Sequence, residues 1–311
     1  MKTRIILSAT AFLSLSLLFT ACQKSASDDS STDYTAETTT HSDDQSRFSA
    51  EVDAVANDAD ASLESTAGFF GRGEQVQSLI CDATIVVDTI SIPRTITITY
   101  NGTNCLGNRT RTGVVVLSMA PNIRWKNAGA AISVTFQNLK ITRVADNKSI
   151  TINGTQTYTN VSGGLLINLP TLNSITHTIT SSNMSVTFDN GSQRTWQVAK
   201  QRVFTYSNGG VVTTTGMHTE GNVTGVAEWG TNRFGHTFTS AITAPVVIRQ
   251  DCNFRITSGQ ITHTTPLFTA VVTGGLDASG NPTSCPGLGT YYYKLVWTGP
   301  ANVPHTIILP Y

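Results

Sequence analysis

The sequence predicts an all-β protein: one large antiparallel sheet, or two packed antiparallel sheets as in a sandwich, preceded by one short N-terminal helix. Three observations carry that expectation. Threonine, a residue that favours strands, supplies 49 of the 311 residues. Apolar and hydroxyl side chains alternate with a period of two, as from Arg94 to Tyr100, where Ile96, Ile98 and Tyr100 share one face and Thr95, Thr97 and Thr99 the other. Asn-Gly pairs, suited to tight hairpins, fall between such runs. Charged residues make up only 13% of the chain, 20 basic against 20 acidic. That composition excludes a coiled coil or helical bundle, and the single long apolar stretch excludes a multi-span helical membrane protein.

Residues 1–22 read as an export address. Lys2 and Arg4 precede an apolar run from Ile5 to Phe19. The run is shorter than the roughly 20 residues of a membrane-spanning helix and suits a signal peptide. It ends Phe19-Thr20-Ala21-Cys22, which resembles a bacterial lipobox, with Phe19 where leucine is commoner. The resemblance implies a lipidated Cys22, carrying palmitate or related acyl chains, as the new N-terminus. Two or three chains on one residue anchor a protein to membrane lipid, where one alone binds only marginally. Gln23, rather than aspartate, follows the cysteine. By the same resemblance this directs the protein to the outer membrane. Asp28 and Asp29 resemble signals that send Bacteroidetes lipoproteins to the cell surface, so the surface and the periplasmic leaflet are both open.

Residues 23–47 are Ser, Thr and acidic side chains with little to bury, so the expectation is a disordered tether. Residues 48–74 hold a short helix and a connector. Phe48, Val52, Val55, Ala56, Ala59 and Leu63 recur at helical spacing, Asp44 or Ser46 is the candidate cap, and Gly68 with Gly71 the candidate stop. The helix is expected to pack on the domain. A membrane-surface helix is disfavoured by the acidic row Glu51, Asp53, Asp58, Asp60 and Glu64.

Residues 75–311 are expected to form the β domain. Phase slips between Phe136 and Leu139, and between Val87 and Ile90, suggest β-bulges. Turns are expected at Asn101-Gly102, Asn153-Gly154, Asn190-Gly191 and Asn208-Gly209-Gly210. With no crossover helices the sheet should be antiparallel, and threonine-rich faces should meet water. Charge divides unevenly. Residues 23–74 carry three basic and twelve acidic side chains, and residues 75–311 carry fifteen basic and eight acidic. The N-terminal part is therefore drawn to the β body electrostatically. The scattered basic residues and the export signal argue against nucleic-acid binding.

Cys81, Cys105, Cys252 and Cys285 form an even set in an exported domain, which points to disulfides. Four cysteines allow three pairings. Sequential pairing, Cys81–Cys105 and Cys252–Cys285, is preferred because it closes short loops; Cys81–Cys285 with Cys105–Cys252 remains an alternative. No C-x-x-C spacing favours a metal site.

Several stretches resemble a family of Bacteroidetes outer-membrane lipoproteins with a Thr-rich, Cys-containing all-β body. They are Cys81–Asp88, Pro93–Tyr100, Cys105–Gly113, Val134–Ile141, Ile152–Asn160, Gly230–Ile242 and Cys252–Gly259. The resemblance implies a shared fold and disulfides, and no reaction. Asp88-Thr89-Ile90 also resembles an O-glycosylation site of that phylum, with Thr89 as the acceptor.

Catalytic signatures such as G-x-S-x-G, H-E-x-x-H or a phosphate-binding loop are absent from the sequence. Glu220 and Glu228 are the only glutamates after residue 75, so they are the candidate acid–base pair for a glycosidic bond. Trp229 is the aromatic side chain best placed for sugar stacking, and His236 would complete a cleft with Glu228 and Trp229. His218 with Glu220 supplies two ligands of an incomplete metal patch. His177 and His263 follow the apolar phase of their strands and read as core residues. The expected protein is a lipid-anchored envelope module that binds glycans or envelope proteins, without catalytic residues, cofactor or metal. A glycan-acting hydrolase and an adhesin or assembly subunit are the alternatives.

Overall fold

In the computed structural model the described residues are 34–66, 80–181, 183–283, 291–298 and 303–310. Cys22, Gly68, Gly71 and Cys285, with the expectations resting on them, lie outside these.

Sixteen strands and one long helix supply most of the regular structure among the described residues, with a one-turn helix at Leu169–Leu172 and single 3-10 turns at Leu166–Asn168 and Gln250–Cys252. Helix α1 spans Thr35–Ser65. The first strands are β1 (Ala83–Asp88), β2 (Arg94–Thr103), β3 (Arg109–Met119), β4 (Ala130–Arg143), β5 (Ser149–Asn160), β6 (Ser174–Ser181), β7 (Ser185–Phe188) and β8 (Gln193–Tyr206). They continue as β9 (Gly210–Gly216), β10 (His218–Glu220), β11 (Val223–Thr231), β12 (Thr237–Arg249), β13 (Arg255–Thr264), β14 (Thr269–Leu276), β15 (Tyr292–Thr298) and β16 (Pro304–Pro310). All sixteen belong to one sheet, ordered β1-β2-β3-β4-β5-β6-β8-β11-β12-β13-β14-β15-β16, with β7, β9 and β10 on side branches. Every pairing is antiparallel, as strands joined by short turns require. The expected class holds, in its single-sheet form.

Alternation drives the layering. In β2 the positions run buried, half-buried, buried from Arg94 to Tyr100. The inner row, Ile96, Ile98, Val115, Leu117, Val134 and Phe136, joins the α1 residues Phe48, Val52, Val55, Ala56, Ala59 and Leu63 in one core. On the outer face a row of neutral hydroxyls, Thr95, Ser118, Ser133, Thr157 and Thr180, lies in register across β2 to β6, and Lys140 of β4 stands exposed beside it.

Two expected turns form and two do not. Gly191 closes the β7–β8 hairpin through a 2.9 Å bond to the Phe188 carbonyl, and Asn208 adopts positive φ between β8 and β9. Asn101-Gly102 and Asn153-Gly154, by contrast, lie inside β2 and β5. Gly154 serves close approach instead: a Cβ there would sit 2.5 Å from the Asn183 carbonyl oxygen. The bulge between Phe136 and Leu139 is present, with Asn138 at φ 50° and its N–H donating to the Asn153 side chain at 2.7 Å. The slip after Val87 is no bulge. β1 ends at Asp88, whose carboxylate accepts from the Ile90 and Ser91 N–H groups, and Ile90 and Ile92 stand exposed.

The helix departs most from expectation. It starts at Thr35 and not near Phe48, so residues 35–47 belong to it and Asp44 and Ser46 are interior positions, not caps. Thr38, His41, Ser42, Asp44, Gln45, Arg47, Glu51 and Asp60 are buried together with the apolar row. A polar stretch of this kind gains little by burying itself, and its order comes from partners on the sheet. The Cys81–Cys105 disulfide forms as in the preferred pairing, with Cα atoms 5.4 Å apart. Cys252 is buried, and its expected partner Cys285 lies outside the described residues.

Candidate functional site

Eight carboxylates line α1: Glu37, Asp43, Asp44, Glu51, Asp53, Asp58, Asp60 and Glu64. Each meets a group on the β body. Asp43 pairs with Arg143 at 2.8 Å, Asp44 with Arg233 at 2.6 Å, Asp58 with Arg111 at 2.8 Å and Glu51 with Arg109. Glu37 reaches His236 at 2.7 Å, and Asp53 and Asp60 lie 3.5 Å from Lys200 and His177. Glu64 accepts from the Leu166 and Ile167 N–H groups. The electrostatic attraction read from the sequence is thus distributed residue by residue along the helix. Burial pushes Asp44, Glu51, Asp58 and Glu64 above the ordinary carboxylate value, against the pull of the arginines or backbone donors that hold them.

Glu228 is a fully buried carboxylate on the sheet. A one-residue register shift between Val226 and Glu228 on β11 sets its pairing with Val198 of β8 and Ser240 of β12. Its carboxylate takes the Lys200 ammonium at 2.8 Å, the Trp196 indole N–H at 2.9 Å and the Gln45 amide at 3.2 Å. Lys200 also donates to Ser49 at 2.6 Å. Burial alone would lower the lysine; Asp53 and Glu228 outweigh it and hold the ammonium above its ordinary value. Through Gln45 and Ser49 this buried pair ties α1 to β8 and β11.

The four residues singled out from the sequence therefore do not converge. Glu228 faces inward. Trp229, its neighbour, faces outward and is half-buried, stacked on the His218 ring at 3.9 Å and 18°. His218 Nε2 lies 3.0 Å from Glu220 Oε2. Glu220, His218 and Trp229 form a small, partly exposed cluster on β10 and β11, while Glu228 is on the opposite face of the sheet from it. His236 turns away from both towards Glu37 of α1. The cleft of Glu228, Trp229 and His236 and the Glu220–Glu228 acid–base pair are thus absent. Among the described residues no three His, Cys, Asp or Glu side chains cluster as metal ligands. Thr89 sits in the exposed turn after β1.

The sequence reading missed a buried pair of histidines. His41 of α1 and His263 of β13 are fully buried with ring centroids 5.5 Å apart, and Ser240 Oγ lies 2.8 Å from His263 Nδ1. A serine beside a histidine suggests a nucleophile and base, yet no carboxylate is bonded to the imidazole and both residues are sealed from solvent. Their contact joins residues more than two hundred positions apart, so no local spacing announces it. Comparison of this chain with protein-family profiles, with curated proteins and with solved structures finds no match.

Proposed function

We propose that this chain is a lipid-anchored protein of the outer membrane, of the kind its motifs resemble, whose β body serves as a non-catalytic binding or structural module. One observation carries the reading: the carboxylates of α1 are engaged by the sheet, while a row of neutral hydroxyls, Thr95, Ser118, Ser133, Thr157 and Thr180, runs in register across the outer face of β2 to β6. Such a face suits contacts with glycans or with other envelope proteins, and the partly exposed Trp229–His218–Glu220 cluster adds an aromatic surface. Cys22 is the proposed lipid site, Thr89 the proposed O-glycosylation site, and Cys252–Cys285 the proposed second disulfide.

A binding screen of the full chain against glycans and envelope proteins tests the module, with Trp229→Ala expected to weaken any glycan captured. Glycan cleavage that Glu220→Gln abolishes would replace this reading with that of a hydrolase. Mass spectrometry of the mature product tests the anchor: an acylated Cys22 is expected, and an unmodified soluble product contradicts it.

A second reading, an adhesin or assembly subunit, is favoured by the edge strand β1. It pairs only with β2 among the described strands and leaves Val86 and Val87 exposed, with Ile90 and Ile92 exposed in the turn that follows it. Strands with open backbone groups and apolar side chains accept added strands. The opposite edge, β16, is bounded by Pro304 and Pro310, which donate no hydrogen bonds.

A further inference from the structure

The N-terminal half of α1 presents Thr38, His41, Ser42 and Gln45 to the sheet, spaced three and four residues apart and all buried. The His41 ring packs against Phe238 at 4.8 Å and lies near His263, Trp196 and Phe268 at 5.5, 6.0 and 6.2 Å. Among the described residues neither nitrogen of His41 has a hydrogen-bond partner, and neither does Nε2 of His263. A neutral imidazole tolerates such a site; an imidazolium there has lost its hydration and gained no anion.

The charged groups on the surrounding elements are committed elsewhere. On α1, Glu37 is bonded to His236, just before β12, and Asp44 to Arg233. From β8 and β11, Lys200 and Glu228 hold each other, with Asp53 beside the lysine. Arg233 also binds Asp189, and Arg143 binds Asp43 and Asp146. None of these carboxylates bonds either imidazole.

We propose that the His41–His263 contact is an acid-sensitive latch: protonation of either ring drives the N-terminal half of α1 out of its seat and bares the aromatic groove beneath it, with Lys200 and Arg233 at its side. The direction follows from the burial. Desolvation holds His41 well below the ordinary histidine value, with His263 adding to the effect, and pushes His263 down to about 4. Released imidazoles take up protons near pH 6.5, and seated ones do not. The contribution to stability is therefore whole above pH 6.5 and is lost as pH falls from there towards 4. The raised carboxylates Asp44, Glu51, Asp58 and Glu64 act in the opposite sense, since acid relieves their burial. A comparison with histidine variants separates the two.

A group that titrates near 6.5 only when released shifts an opening equilibrium about tenfold between pH 7.5 and 5.5, and two such groups shift it about a hundredfold. Hydrogen exchange of the full chain, corrected for intrinsic rates, reads this at residues 38–48, with β3 and β4 as the internal control. Protection in α1 is expected to fall by ten- to a hundredfold at pH 5.5 while β3 and β4 hold. The fall should shrink in His41→Phe and His263→Phe. Unchanged protection in the parent chain, or an equal fall in both variants, overturns the latch. Imidazole NMR of the parent chain needs no variant. Two of the six histidines should stay neutral until α1 opens; six ordinary titrations with α1 still protected would overturn it equally.

Discussion

The sheet under the apolar row of α1 and the sheet reached only by its polar first turns are built differently. From β1 to β8 the inner residues join α1 in a core that includes Phe48, Trp125 and Trp196. In β4 buried and half-buried positions alternate strictly from Ala130 to Phe136. Beyond it, the cluster on β14 and β15 holds only Phe268, Ala270, Leu295 and Trp297 as fully buried apolar residues. In β13 a single residue, His263, is buried, and in β16 none is. The pairing is antiparallel in both halves, so backbone hydrogen bonding is not what separates them. The helix is: its apolar row supplies the second layer that a one-sided sheet needs, and its carboxylates neutralise the arginines and lysine that face it.

This contrast can be broken or sharpened by substitution. Phe48→Ala removes the largest apolar side chain of α1 from the densest core and should cost about 3–5 kcal/mol in urea unfolding. Lys200→Met strands a fully buried Glu228 carboxylate and should cost about 3–5 kcal/mol. Adding Glu228→Gln to it should recover a large part, because no unpaired charge then remains. Removing the Cys81–Cys105 bridge, with both residues changed to alanine, should lower stability by about 3 kcal/mol through the unfolded chain. Val272→Ala, in the half-buried face of β14, should cost less than about 1.5 kcal/mol. A loss equal to that of Phe48→Ala would show that the second half is packed as tightly as the first. Arg143→Gln breaks partly exposed pairs with Asp43 and Asp146 and should change the midpoint least, by about 1 kcal/mol or under.

What could be read in the sequence was whatever repeats locally. The alternation of β2 and the bulge after Phe136 appear in the order of a few neighbouring residues, and so does the apolar row Phe48 to Leu63. The polar turns of α1 do not, because Thr38, His41 and Gln45 are held by residues of β8 to β13. The charge imbalance between residues 23–74 and 75–311 did foretell attraction, but not which carboxylate meets which cation. Asn153-Gly154 carries the same letters as a hairpin, and only the nearness of Asn183 reveals that glycine is there to admit another backbone. For the candidate site, the sequence named Glu228 and Trp229 but not their faces: neighbours on a strand point to opposite faces, so Glu228 lies in the core and Trp229 half-buried on the other side.

Hydrogen exchange at pH 7.5 tests most directly whether α1 is an interior element held by the sheet. Amides from Thr38 to Leu63 should be protected to the same extent as those of β3 to β5 and should lose that protection together with them in denaturant. Exchange of the α1 amides at the rate of an unstructured chain, with β3 to β5 still protected, would contradict it.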